Sequence, residues 1–169
     1  MVPEAVRRAF AAAQKASLEL KKKAAHKVVV AAAGAAVAAG AVPIPFADAA
    51  VLVPIQVSML AGISATFGIE LSKAFLSTLV AAMAGTTGAT FLGRAVVANL
   101  LKFIPGGGSV AGGVVAAGAA ATLTTALGEL YIAVLAKLFT ASGGTPPSSE
   151  AIAQEFALEF KNRMAAKRD

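Results

Sequence analysis

A chain of 169 residues suits one compact domain with a sizeable core, but only 14% of it is charged, against about 25% in ordinary soluble domains. Hydrophobic residues reach 57% beside 16 glycines, so most elements must be covered on most sides by protein or by lipid. The absence of cysteine excludes disulfides, thiolate nucleophiles and thiolate metal sites, and the net charge of +6 is unevenly spread.

Residues 1–27 hold seven basic and two acidic side chains, net +5, whereas 28–141 net +1 and 142–169 balance four against four. The basicity therefore points to an anionic surface met by the N-terminal segment. That segment lacks the early apolar core and cleavage site of a secretory signal and does not read as one.

Residues 3–26 predict an amphipathic helix. Val6, Phe10, Ala13, Ser17 and Leu20 recur at three- and four-residue steps, with Arg7, Arg8, Lys15, Glu19 and Lys22 elsewhere around the circumference. Residues 27–42 predict an alanine-rich helix containing Gly34 and Gly40. Glycine costs about 1 kcal/mol inside a helix, so these suggest close helix approach, as do the pairs Gly34/Ala38 and Ala84/Gly88. Pro43 and Pro45 then end the helix. The chain restarts near Phe46 and Asp48 and runs helically to about Gly68, with a kink expected at Pro54.

Further helices are expected from about Glu70 to Gly85 and from Ala89 to Phe103. A break follows at 104–109, where Pro105, Gly106, Gly107 and Gly108 precede Ser109. A long small-residue helix covers roughly 110–139, and 142–149 reads as a linker. Ser148 or Ser149 caps a last amphipathic helix within 150–169, with Ile152, Phe156, Phe160 and Met164 four residues apart and Glu159 placed to pair with Arg163. No strand-like alternation is present. The expected fold is all-α: an Ala/Gly-rich helical bundle with apolar helical hairpins across 28–141 and amphipathic N- and C-terminal helices, 1–27 and 150–169.

From Val28 to Ile69 the chain carries one charge, Asp48, so these residues are buried in a helical assembly or placed in lipid. Residues 28–42 reach roughly 22 Å, short of the ~30 Å hydrocarbon core, whereas 46–69 are long enough. Two geometries follow. In one, residues 28–69 form a hairpin dipping into a membrane, with Pro43 to Asp48 at its tip or near an interface. In the other, the apolar helices bury one another between subunits of a soluble homo-oligomer, which the high alanine content favours because alanine contributes little to insertion.

Candidate chemistry is sparse. Gly106-Gly107-Gly108-Ser109 could present N–H groups to an anion, but it lacks the Gly-Lys-Ser/Thr ending of a P-loop and reads as a helix break. Asp48 could handle protons or ions in an apolar setting, and a channel reading rests on it. Its place in a first helical turn is equally that of a carboxylate meeting free N–H groups. Gln56 reads as a buried polar residue between helices. Lys21, Lys22, Lys23 and Lys27 are either a solvated face or contacts to anionic headgroups, worth about 1 kcal/mol each. Nucleic acid is a poor partner for so few aromatics. The single histidine, His26, offers little to a metal, and Arg94, Lys102, Glu70 and Glu129 read as helix-end or interhelix charges. No nucleophile–base–acid set assembles, so no catalytic residue, metal or cofactor is expected.

The runs Pro43-Ile44-Pro45-Phe46-Ala47-Asp48, Val53-Pro54-Ile55-Gln56-Val57-Ser58-Met59-Leu60 and Ile63-Ser64-Ala65-Thr66-Phe67-Gly68 carry a resemblance, together with Lys102-Phe103-Ile104-Pro105-Gly106 and Thr124-Thr125-Ala126-Leu127-Gly128. Over roughly residues 5–140 the chain resembles the helical domain of unknown function that follows Era-like or immunity-related-type GTPase domains in many bacterial proteins, related to the YcjF-like membrane proteins. The resemblance implies a membrane-associated helical module on the cytoplasmic side of a bacterial inner membrane. Any GTP chemistry would then lie in a separate domain, which could act in trans. It supplies no catalytic residues. The expected activity is non-enzymatic membrane association with oligomerisation.

Overall fold

Every described element is an α-helix, in agreement with the missing alternation. The structure, a computed structural model, describes residues 3–40, 48–86 and 109–165. Pro43, Pro45, the helix expected at 89–103 and the break residues Pro105, Gly106, Gly107 and Gly108 lie outside them. The five described helices are α1 (Glu4–Gly40), α2 (Asp48–Thr66), α3 (Lys73–Thr86), α4 (Ser109–Ala141) and α5 (Ser149–Ala165).

The two segments expected at 3–26 and 27–42 are one helix of 37 residues. Nothing between Lys22 and Val30 breaks a helix, and the inward face keeps its register across the junction. Ala25, Val29 and Ala36 are fully or almost fully buried, with Leu18 and Ala32 packed partly against the core. Those steps of three and four residues keep one face inward. What changes near residue 27 is the chemistry of the outward face, not the backbone.

Local stops and starts follow ordinary capping. The Gly68 N–H reaches the Ala65 carbonyl and the Ile69 N–H reaches the Ser64 carbonyl, both at 3.0 Å, with Gly68 at φ 73°. This is the double bond by which a left-handed glycine closes a helix and satisfies its last carbonyls. Ser72 caps α3 by accepting the Phe75 N–H at 3.1 Å, and Ser148 caps α5 by accepting the Ala151 N–H at 3.2 Å. The cap at Ser72 starts α3 at Lys73, three residues later than Glu70. Glu159 and Arg163 pair across one turn at 3.2 Å, as their spacing predicts.

α1 lies against α2 and α4; α2 touches α3 and α4 as well, and α5 rests on α4 and α3. Matched positions fix the register. Lys21 stands beside Thr66, Val28 over Gly62, Val29 over Gly128 and Gln14 beside Gly143. α1 therefore runs antiparallel to both α2 and α4. The core gathers Leu60, Ile63, Phe67, Leu76, Leu127, Tyr131, Leu135 and Ile152, all at most 1% exposed. Phe67 meets Phe139 edge-on at 6.1 Å, and Tyr131 meets Phe156 edge-on at 6.3 Å.

Among the described residues, close approach falls on Gly62 and Gly128 and not on Gly34, while Gly88 lies outside them. Gly34 has open space where a side chain would stand, so it packs against nothing described. The tight contacts are at Gly62, where a Cβ would lie 2.9 Å from Val28, and Gly128, where it would lie 2.5 Å from Val29 and 3.1 Å from the Met59 sulfur. The reason is rotational: Gly34 is on the outward face of α1, whereas Gly62 and Gly128 face its inward valines.

One polar link crosses this core. Ser64 donates its hydroxyl to the Leu60 carbonyl at 2.8 Å, so at 2.9 Å the Tyr131 hydroxyl donates to Ser64. Burial pushes the Tyr131 hydroxyl up to about 12, against the smaller lowering effect of Ser64, and the phenol stays a donor.

The asymmetry of that link is measurable by chemical unfolding. Tyr131→Phe removes one hydrogen bond and should cost about 1 kcal/mol; Ser64→Ala strands a buried phenol and should cost more, about 1–3 kcal/mol. Gly128→Ala should destabilise by roughly 1–3 kcal/mol through overpacking, and adding Val29→Ala should recover part of the loss.

Candidate functional site

The chemistry-bearing feature is the distribution of charge along α1, which among the described helices touches α2 and α4. Up to Lys27 the exposed surface of α1 carries Arg7, Arg8, Lys15, Glu19, Lys23, His26 and Lys27, interspersed with the exposed Val6, Phe10 and Leu20. Beyond Lys27 it carries Val30, Ala31, Gly34, Ala35, Val37 and Ala38, all exposed, with Val30 at 72% and Val37 at 44%. A soluble surface helix places charged or polar residues on its exposed side.

The neighbouring helices switch at the same height. From the register, α1 residues 28–40 stand beside the first part of α2 and beside α4 residues 116–128. α2 has no charge after Asp48, and α4 has none from Ser109 to Gly128. Val53, 38% exposed, and Leu123, 47% exposed, add apolar surface on these two helices. Where a hydroxyl does face outward it can be satisfied by its own helix: Thr122 donates to the Gly118 carbonyl at 2.8 Å. A shallow groove between α1 and α2 is lined by apolar residues, among them Val28, Ala31, Ala35, Pro54 and Met59, with Ser58 as its one polar side chain.

The opposite half carries the ion pairs. His26 Nδ1 lies 2.9 Å from Glu129 between α1 and α4, both half-exposed, at the boundary. Lys137 meets Glu155 between α4 and α5 at 2.5 Å, and that bonded carboxylate holds the ammonium above its usual range. Glu4 pairs with Arg8. Among the described residues, no three His, Asp or Glu gather as a metal site would need.

The four lysines singled out in the sequence do not act together. Lys21 turns inward: its Nζ donates to the Thr66 carbonyl at 3.2 Å and sits 5.4 Å from the Phe139 ring centroid. It thereby satisfies a free carbonyl at the C-terminal, negative end of α2. Lys22 pairs with Glu19 at 3.3 Å. Lys23 and Lys27, one turn apart, are exposed and border Val30 and Ala31 with His26. Gln56 is buried on α2, and Asp48 opens that helix. The register puts Gln56 level with Thr124 of α4, which is fully buried and whose hydroxyl finds no partner among the described residues. The sequence did not mark the Ser64–Tyr131 link; the lone tyrosine in so apolar a chain was the only available sign.

Residues 6–161 match the family described as a domain of unknown function, DUF697. The chain belongs to that family. This DUF697 domain is also similar to magnetosome membrane protein 22 of Magnetospirillum gryphiswaldense, with 35% identity over 98 residues. That alignment covers 58% of the present chain and 50% of the relative, so the chain spans about half the length of the curated relative it matches. No solved structure matches the DUF697 domain. Residues Ala117–Ala141 of α4 are long and apolar enough to cross a membrane, although half of that stretch is buried within the bundle.

The role of Lys21 separates from that of its neighbours in a stability measurement. Lys21→Ala should lower unfolding stability by about 1 kcal/mol through the lost bond to α2. Lys23→Ala should change it by less than about 0.5 kcal/mol, as expected of a surface position.

Proposed function

We propose that this DUF697 domain is a non-enzymatic, membrane-associated module that enters the bilayer with its apolar end, at which Asp48 is the single charge among the described residues. The observation carrying the reading is the change along the exposed surface of α1, from a mixture of charged and apolar residues through Lys27 to valine, alanine and glycine without charge beyond it. An exposed apolar surface spread over three adjacent helices at one height fits lipid, which requires no polar partner there. The magnetosome relative, itself a membrane protein by name, supports the same setting. The cytoplasmic face of a bacterial inner membrane is the proposed location, and a nucleotide-driven partner acting in trans is the form any GTP dependence would take.

The continuity of α1 changes how the basic segment takes part. A straight helix cannot lie flat along a leaflet over residues 3–26 while residues 28–40 pass into it. Lys15 is twelve residues before Lys27, about 18 Å along the axis, and stands away from the surface. Lys23 and Lys27 are the cations at headgroup height.

Self-association is the second reading. Ala31, Gly34, Ala35 and Ala38 share an exposed side of α1 with nothing packed on Gly34, a surface of small residues suited to a helix of another copy. In lipid this would give oligomers of an embedded domain; in water the same faces would cover one another.

Flotation with vesicles containing anionic lipid tests the reading. Lys23→Glu with Lys27→Glu should weaken binding by roughly 30-fold or more, taking about 1 kcal/mol for each lysine lost and adding the repulsion of the new carboxylates. Lys15→Glu with Lys22→Glu should have much less effect. Equal losses for the two pairs would remove the headgroup assignment. Recovery of the unaltered protein in the aqueous fraction as a discrete detergent-free oligomer would replace the membrane reading by the second.

A further inference from the structure

We infer that the face shared by α1 and α2 holds one anionic phospholipid, its phosphate between Lys23 and Lys27 and one acyl chain in the groove beside Ala35. The inference rests on the membrane reading above and names the lipid class that this part of the domain selects. Two adjoining surfaces carry it. The first is a shallow cleft on α1 lined by Lys23, His26 and Lys27 together with Val30 and Ala31. The second is the apolar groove between α1 and α2, whose walls include Ala31, Ala35, Pro54 and Ile55. Ala31 lines both, so the basic cleft adjoins the groove directly.

Spacing along α1 follows the order of parts in a phospholipid. Lys23 and Lys27 are both exposed and one turn apart, about 6 Å along the axis, close enough for two ammonium groups to reach one phosphate. Ala31 and Ala35 follow at successive turns, the second about 12 Å beyond Lys27. The register that sets Val28 over Gly62 puts Ile55 level with Ala35, so the groove leads away from the cations. Charge at the cleft selects the head. Glu19 is held by Lys22 at 3.3 Å and Glu129 by His26 at 2.9 Å, whereas Lys23 and Lys27 make no ion pair among the described residues. The excess is cationic, which attracts a phosphate and leaves no uncommitted carboxylate for the ammonium of a zwitterionic head.

The full chain is purified in a neutral detergent and titrated with dioctanoyl phosphatidylglycerol, dioctanoyl phosphatidylcholine or glycerol phosphate, and native mass spectrometry counts the molecules bound per chain. One phosphatidylglycerol should bind per chain, saturably and roughly tenfold or more tightly than phosphatidylcholine, and glycerol phosphate should not compete. Ala35→Phe fills the groove without removing a charge and should weaken phosphatidylglycerol roughly tenfold or more, at about fourfold per displaced methylene. Leu123→Phe places the same ring on the exposed side of α4 and should leave that binding unchanged. Lys23→Gln with Lys27→Gln should abolish the preference for phosphatidylglycerol. Equal binding of the two lipids, or equal effects of Ala35→Phe and Leu123→Phe, would reduce the contact to bulk solvation and overturn the site. Glycerol phosphate binding as tightly as phosphatidylglycerol would show a site for free phosphate and overturn it too. A changed oligomer mass for Ala35→Phe with lipid binding intact would give the groove to a second copy. Vesicle flotation reports the underlying reading separately: Ala35→Phe keeps both lysines and should still float, whereas unaltered protein that does not float would remove the membrane reading itself.

Discussion

The unbroken backbone of α1 is the constraint on which the rest of this structure depends. Because one helix carries both the charged N-terminal segment and the alanine-rich segment, the two cannot adopt independent orientations. The inward face of that helix, Leu18, Ala25, Val29, Ala32 and Ala36, supplies the surface on which α2 and α4 assemble. Its outward face is left to the surroundings, and the surroundings must change where the chemistry changes. Rotational order around the helix builds the core, and order along the helix makes the apolar end.

The valines of α1 decide how closely its neighbours approach. Gly62 and Gly128 accept Val28 and Val29 at distances no side chain would permit. This brings α2 and α4 against one helix in a single register and, with it, aligns their charge-free stretches at one height. Lys21 reinforces the register from below by binding the Thr66 carbonyl at the end of α2. Two ion pairs join helices, His26 with Glu129 and Lys137 with Glu155, in the half that also holds α5. Packing and charge segregation are therefore one arrangement seen along two directions.

Much of this was legible in the sequence because its signals are local. The all-α class, the serine cap before α5, the Glu159–Arg163 pair and the burial of Gln56 each depend on a few residues and a helical period. The signals that failed depend on which way a residue faces. Gly34 reads like Gly128 in sequence, yet one lies on the outer side of its helix and the other under Val29. Lys21, Lys22, Lys23 and Lys27 read as one basic cluster, yet 100° per residue distributes them among a helix cap, an intrahelical pair and an exposed rim. At the α1 junction the composition changes but the backbone does not, since Lys23-Ala24-Ala25-His26-Lys27-Val28 imposes no break. The Ser64–Tyr131 bond joins residues 67 apart, which no local pattern reveals.

The first ten residues of α1 are exposed and extend past the Gln14–Gly143 contact, beyond the rest of the bundle. At 37 residues the helix is about 55 Å long, and its tightest contact, Val29 on Gly128, divides it into arms of roughly 38 and 17 Å. The ten residues before Gln14 rise about 15 Å, so this end of α1 is a rigid spacer that holds Glu4 clear of the packed helices.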